Sequence, residues 1–297
     1  MTIYSQISGN RFKTFMIMGL FIALVTGLFY AIGYYYNIGD GFLVMGFIFS
    51  IFSTIGSYYF SDKMVLGLTG AHLASKEKYF NLYTAVENMS IASGVPMPRV
   101  YVINSDQLNA FATGRDPKHG VVVATTGILN RLDRSELEGV IAHEMSHIKN
   151  YDILLSSVVA VLVGTVALIT DWVLRWRWFG GRDKEEKQSP AMTILFIIAL
   201  ILSPIVATLI QLAISRQREY LADASSALLT RNPDGLASAL EKISSFNKQP
   251  MHVPSTVSHL FIANPLKTEG KERSNFLANL FSTHPPIQER IKILRDM

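Results

Sequence analysis

Four stretches of this chain carry no charged side chain: residues 14–39, 41–61, 153–170 and 188–215. A helix needs about 20 apolar residues to cross the hydrocarbon core of a bilayer, and residues 15–36, 41–60 and 191–215 meet that requirement. Residues 153–170 are at the short limit. They predict a helix that spans or inserts deeply, a buried core helix being the alternative; Trp172, Trp176 and Trp178, all the tryptophans present, suit an interfacial anchor at its far end. Ser203 and Pro204 predict a kink in the last stretch. The pattern divides the chain into an N-terminal membrane hairpin (1–62), a polar part (63–152), a second hydrophobic pair (153–215) and a second polar part (216–297).

The polar parts have their own periodicities. Residues 76–93 predict an amphipathic helix with Tyr79, Phe80, Leu82, Tyr83, Val86 and Met89 on its apolar face, ended near Gly94 and Pro96. Residues 99–103, 108–113 and 120–125 predict short strands, separated by turns at 104–106 and 114–117. Ser135 and Glu138 fit a capping box opening a helix whose stripe is Leu137, Val140, Ile141, Met145 and Ile148. A helical pattern covers 216–229, stops at Asn232 and Pro233, and resumes over 233–245; residues 247–274 lack periodicity and read as a loop or lid, and a last helix runs from Pro286.

Composition narrows the chemistry. Charged residues are 17% of the 297, low for a soluble protein, but outside the four apolar stretches they return to about a quarter, the usual globular share. There is no cysteine, which excludes thiol catalysis, iron–sulfur clusters and cysteine-ligated zinc, so any metal must sit on histidine and carboxylate. The net charge of +4 does not point to nucleic acid, because the basic residues are scattered or flank apolar runs. The first stretch is too long for the apolar core of a cleavable signal and is read as a retained anchor. Arg11 and Lys13 precede it and Lys63, Lys76 and Lys78 follow the second, so the positive-inside rule places the polar parts in the cytoplasm; Arg175, Arg177, Arg182, Lys184 and Lys187 in the loop 172–190 run against that orientation.

His143-Glu144-Met145-Ser146-His147 is an H-E-x-x-H sequence on the capped helix. Residues i and i+4 share a helix face, so His143 and His147 can present nitrogens to one Zn²⁺, with Glu144 beside them to take a proton from water. A catalytic zinc site wants a third protein ligand and one open position, and Glu219 with Asp223 forms a second i, i+4 acidic pair. His147 lies six residues before the third apolar stretch and Glu219 four residues after the fourth, about 9 Å and 6 Å along a helix. An antiparallel pairing of those stretches brings both sets to one depth. Asp223 is placed to accept from the second ring nitrogen of His143. His72, His119, His252 and His259 have no partner at ligand spacing and are read as non-ligands.

With these motifs the chain resembles the HtpX-type membrane zinc metallopeptidases, distant relatives of the CAAX-prenyl proteases. The resemblance runs nearly its full length, through residues 109–114, the HEMSH helix, residues 215–223 and Thr283-His284-Pro285-Pro286. It implies an α+β membrane protein, mainly α, with four hydrophobic membrane helices and a zincin-like (gluzincin) cytoplasmic catalytic domain holding a small β-sheet. It implies His143, His147 and Glu219 as ligands of one Zn²⁺, Glu144 as catalytic base, and quality-control cleavage of misfolded membrane proteins in the bacterial inner membrane. Asn109 and Ala110 look like the edge strand that pairs with substrate backbone in similar enzymes, an ordinary strand end being the alternative. His284 and Arg290 match the family's C-terminal His-Pro segment with its following arginine, able to approach the zinc or steady an oxyanion, against an ordinary helix start with an exposed charge. Membrane-protein or unfolded polypeptide substrates are the expected partners. The rivals are a zinc-stabilised membrane scaffold or chaperone, and a peptidase for small or prenylated peptides.

Overall fold

The computed structural model describes residues 3–35, 39–179, 215–246, 250–266 and 285–297. Two long apolar helices come first, α1 (Ile3–Tyr35) and α2 (Gly41–Thr69). Phe15 stacks on Tyr58 and Phe29 on Phe42, so the pair runs antiparallel. The contact is close because Gly46 has no side chain: a Cβ there would stand 2.3 Å from the Cβ of Phe29. Both helices leave large apolar groups uncovered, Phe12 and Phe52 about 70% exposed, as suits a surface meeting lipid. The segment Gln6–Ala31 of α1 and all of α2 are each long and apolar enough to cross a membrane.

The polar part follows as β1 (His72–Leu73), α3 (Phe80–Ser93), β2 (Arg99–Ile103), β3 (Ala110–Thr113), β4 (Val121–Thr125), α4 (Thr126–Arg131) and α5 (Arg134–Lys149). The sheet is mixed, in the order β1-β2-β4-β3, with β2 parallel to β4 and the outer pairs antiparallel, so β3 is an edge. One face, with Val100, Val102, Val122 and Ala124, packs on Leu82, Val86 and Met89 of α3 and Ile141, Met145 and Ile148 of α5. The other face, with Phe111, Val121 and Val123, meets Val65 and Leu66 at the end of α2. The sheet thus ties the membrane hairpin to the helix that carries HEMSH.

The expected strand at 108–113 starts two residues later, and the helix expected from residue 76 starts at Phe80 because residues 76–79 form a turn. Strand β1 and helix α4 were not anticipated. The predicted capping box is corrected: Asp133 is the N-cap, accepting from Glu136 N at 2.9 Å while the Glu136 carboxylate accepts from Asp133 N at 2.8 Å. Glu138 instead takes Arg134 as its partner at 3.1 Å.

Beyond α5 the chain turns through 80° into α6 (Asp152–Phe179), the turn residue Tyr151 adopting φ 60°. Such a left-handed conformation is uncommon for a residue with a Cβ. The first turns of α6 are buried, Leu154, Leu155, Val158, Val159 and Leu162 packing on Ile17, Phe21 and Val25 of α1. Among the residues whose side chains are described, α5 and the part of α6 up to Leu168 together form one further candidate span, bent at the turn. The fourth apolar stretch, up to residue 214, and the loop from 180 to 190 lie outside the described residues. The remaining elements are α7 (Arg216–Thr230), α8 (Pro233–Phe246), a 3-10 turn (Ser255–Leu260) and α9 (Ile287–Arg295). Gly139 of α5 lets α8 approach: a Cβ there would lie 2.7 Å from Leu236 N.

Candidate metal centre

Helix α5 is buried on both flanks, between the sheet and α7 and α8, and its interior positions include His143, Glu144 and, partly, His147. Helix α7 is held against it by the Ser226 hydroxyl donating to Gly139 O at 2.7 Å, which brings Glu219 opposite the two histidines. His143 Nε2 and His147 Nε2 are 3.2 Å apart, Glu219 Oε2 is 3.7 Å from the first and Glu219 Oε1 3.6 Å from the second. Bonds of about 2.0–2.1 Å around a tetrahedral centre separate neighbouring ligand atoms by about 3.3 Å, close to these separations, the two Glu219 contacts being made by different oxygens of its carboxylate. The three residues form a group able to hold a metal ion.

Each histidine is oriented through its other nitrogen, as metal-binding imidazoles usually are. His143 Nδ1 lies 2.9 Å from Asp223 Oδ1, and Asp223 is gripped by the Arg290 guanidinium at 2.7 and 2.8 Å. Burial pushes the Asp223 carboxyl up, but the Arg290 and His143 partners outweigh it and hold its pKa at about 2. His147 Nδ1 lies 2.9 Å from Asp152 Oδ2. Burial opposes a proton on His147, yet the bond to Asp152 and the charges of Glu219, Asp152 and Glu144 raise its pKa from 6.5 to about 9.

The charge count also suits a cation. Glu144, Asp152, Glu219 and Asp223 are buried carboxylates, and Arg218 and Arg290 are buried guanidiniums; with neutral imidazoles the cluster sums to −2, which one divalent ion cancels. Arg290 Nη1 has no hydrogen-bond partner and lies 3.7 Å from Glu219 Oε2. It steadies the carboxylate as a charge at a distance.

Glu144 lines the same cavity as the three donors, together with Ala112, Ser156 and His259. The edge strand reaches it too. Thr125 N donates to Asn109 O, so by antiparallel alternation Phe111 and Thr113 turn their main-chain groups to β4, while Ala110 and Ala112 turn theirs outward. At Ala110 that outward side is taken by Ile262 N, which donates to Ala110 O at 2.9 Å. Asn109 is fully buried and bonds Ala263 through both ends of its amide, at 2.8 and 3.2 Å. Ala112, not Asn109 or Ala110, is therefore the edge position at the cavity.

Arg290, expected from sequence to approach the zinc or steady an oxyanion, stands 3.5 Å from His143 Nδ1 and 3.7 Å from Glu219 Oε2 and does not line the cavity. It is 0% exposed and directs its donors to Asp223 from behind the ligands. His284 lies outside the described residues. The donor group contains none of His72, His119, His252 and His259; His259 Nε2 is 3.2 Å from Ser156 O. Asp152 was missed by sequence reasoning, although it sits five residues after His147 at the start of a helix.

Comparison with known proteins agrees with this geometry. Residues 77–297 match Peptidase family M48. The curated "Protease HtpX homolog" of Dictyoglomus thermophilum is 45% identical over 297 residues, covering 100% of this chain and 95% of the relative. That of Caldanaerobacter subterraneus subsp. tengcongensis is 46% identical over 305 residues, covering 100% and 98%, and that of Streptococcus gordonii 41% over 304 residues, covering 99% and 100%. Among solved structures, S. mikatae Ste24p superposes with a TM-score of 0.49 at 16% identity, over 98% of this chain and 67% of that one. With membrane-capable helices in front of a His-His-Glu group, and matches that run the length of both partners, the chain belongs to peptidase family M48, as a membrane metallopeptidase of the HtpX type.

Proposed function

We propose that the chain is a zinc-dependent endopeptidase that cleaves misfolded or damaged membrane proteins and newly unfolded chains at the membrane surface. The observation that supports this most directly is the triangle of His143, His147 and Glu219 donor atoms with the Glu144 carboxylate in the same cavity. Zn²⁺ held by those three residues supplies a Lewis acid for the peptide carbonyl and an activated water. Glu144 accepts the proton of the attacking water at its carboxylate and returns it to the leaving amine. Asp152 and Asp223 fix the two imidazoles in the tautomer that turns Nε2 to the cavity. Ala112 offers main-chain groups at the strand edge to an extended peptide.

The same reading carries four membrane helices, with residues 153–170 and 191–215 as the second pair, and the catalytic part facing the cytoplasm of a bacterial inner membrane. It rests on the basic residues around the first hairpin. The test is a Glu144→Gln protein purified with its metal. It retains stoichiometric zinc and loses cleavage of an unfolded membrane substrate; cleavage at the wild-type rate overturns the assignment.

A further inference from the structure

Asn10 is a polar residue in the first membrane helix, 4% exposed, and each of its amide groups has a partner far away in sequence. Its Nδ2 donates to Asn150 O at 2.9 Å and to Asp152 Oδ1 at 2.7 Å, and its Oδ1 is 3.4 Å from Arg218 Nη1. Arg218 Nη1 is also 3.4 Å from Asp152 Oδ1. The other oxygen of Asp152 holds His147 Nδ1. Asn150 and Asp152 flank the 80° turn between α5 and α6, and Arg218 precedes Glu219 on α7. One side chain of α1 thus meets the turn after the HEMSH helix, the carboxylate that orients His147, and the neighbour of the third ligand.

A buried amide must satisfy all its groups or cost stability, and nothing in helix packing alone asks for asparagine here. Thr14, one turn further along α1, is as well buried and bonds only its own helix, at Asn10 O.

We propose that Asn10 is a positioning residue of the metal centre: it fixes Asp152, and through it the His147 imidazole, so that α1 is part of the site as well as an anchor. This deepens the zinc-peptidase reading and rests on it. Removing an outer-sphere partner of a metal-bound histidine lowers metal affinity by about 10–100-fold. Asn10 acts one step further out, so about tenfold is expected.

The experiment measures Zn²⁺ affinity by chelator competition on the full chain in detergent micelles, beside the thermal midpoint of the metal-free protein. Asn10→Leu binds Zn²⁺ about tenfold more weakly than wild type, whereas Thr14→Val, a comparable loss of one buried polar group on the same helix, stays within about twofold. A purely structural role for Asn10 predicts instead that affinity follows the thermal midpoint equally in both variants, and that result overturns the inference. Should Asn10→Leu fail to fold, Asn10→Asp decides: it keeps the shape but faces Asp152 with an acceptor, and unchanged zinc affinity refutes the proposal. His143→Ala separates the two levels. If it binds Zn²⁺ like wild type, the metal reading fails; if it loses Zn²⁺ while Asn10→Leu and Asn10→Asp match wild type, only the role of Asn10 fails.

Discussion

Replacing Arg290 by methionine keeps most of the apolar stem and deletes the charge that faces two buried carboxylates. Asp223, 1% exposed, loses both guanidinium bonds and keeps His143 Nδ1; Glu219, 8% exposed, loses the charge 3.7 Å away. Breaking one side of a buried, hydrogen-bonded ion pair costs about 3–5 kcal/mol, mostly because the remaining charge has no water to return to. For a protein of this size each kcal/mol moves the thermal midpoint by about 2–4 °C, so Arg290→Met melts about 6–20 °C below wild type when both are stripped of metal. The cause is an orphaned charge, which makes the second step diagnostic. Asp223→Leu added to Arg290→Met recovers a large part of the loss in thermal stability, although His143 then lacks its acceptor and metal binding stays weak. Circular dichroism melting in detergent, with chelator present, reads both. A shift under about 2 °C for the single variant, or a double variant no more stable than the single one, refutes the view that Arg290 is an internal counter-ion.

Two further outcomes are expected. His147 has a folded pKa of about 9 against 6.5 unfolded, so its proton stabilises the metal-free protein fully below pH 6.5 and that contribution fades as pH rises to 9. Zinc must displace the same proton, so affinity measured by competition rises about tenfold per pH unit between those limits while the metal-free melting point falls; a flat affinity between pH 7 and 8.5 contradicts the assignment. At the start of α5, Asp133→Ala costs about 1 kcal/mol as a lost N-cap, whereas Ser135→Ala leaves the melting curve nearly unchanged, and the reverse order would restore the capping box expected from sequence.

What could be read from sequence was local. HEMSH declares itself because both histidines and the glutamate lie on one helix, and Glu219 with Asp223 follows from a second helix at matching depth. Capping failed because Asp133-x-x-Glu136 and Ser135-x-x-Glu138 satisfy the same pattern in overlapping positions. Which one closes depends on partners of the rival acids, Lys242 for Glu136 at 2.6 Å and Arg134 for Glu138 at 3.1 Å. Asp152 escaped because it reaches His147 across a sharp bend, where helical spacing no longer says who faces whom. Arg290 and Asn10 meet their partners across 67 and 142 residues, and no periodic rule reaches that far. A two-residue strand such as β1 is too short to leave an alternation at all.

The edge of the sheet carries a consequence for how a peptide can be held. Ile262 N already occupies the outward main-chain side of β3 at Ala110, and Ala263 holds the side-chain amide of the preceding Asn109, which leaves the Ala112 position to receive a guest backbone. One strand residue offers about two main-chain hydrogen bonds, each worth about 0.5–1.5 kcal/mol net, far less than the ordering of several peptide residues costs. On the peptidase reading proposed above, so small a grip favours a segment that is already extended over one that must first be unfolded.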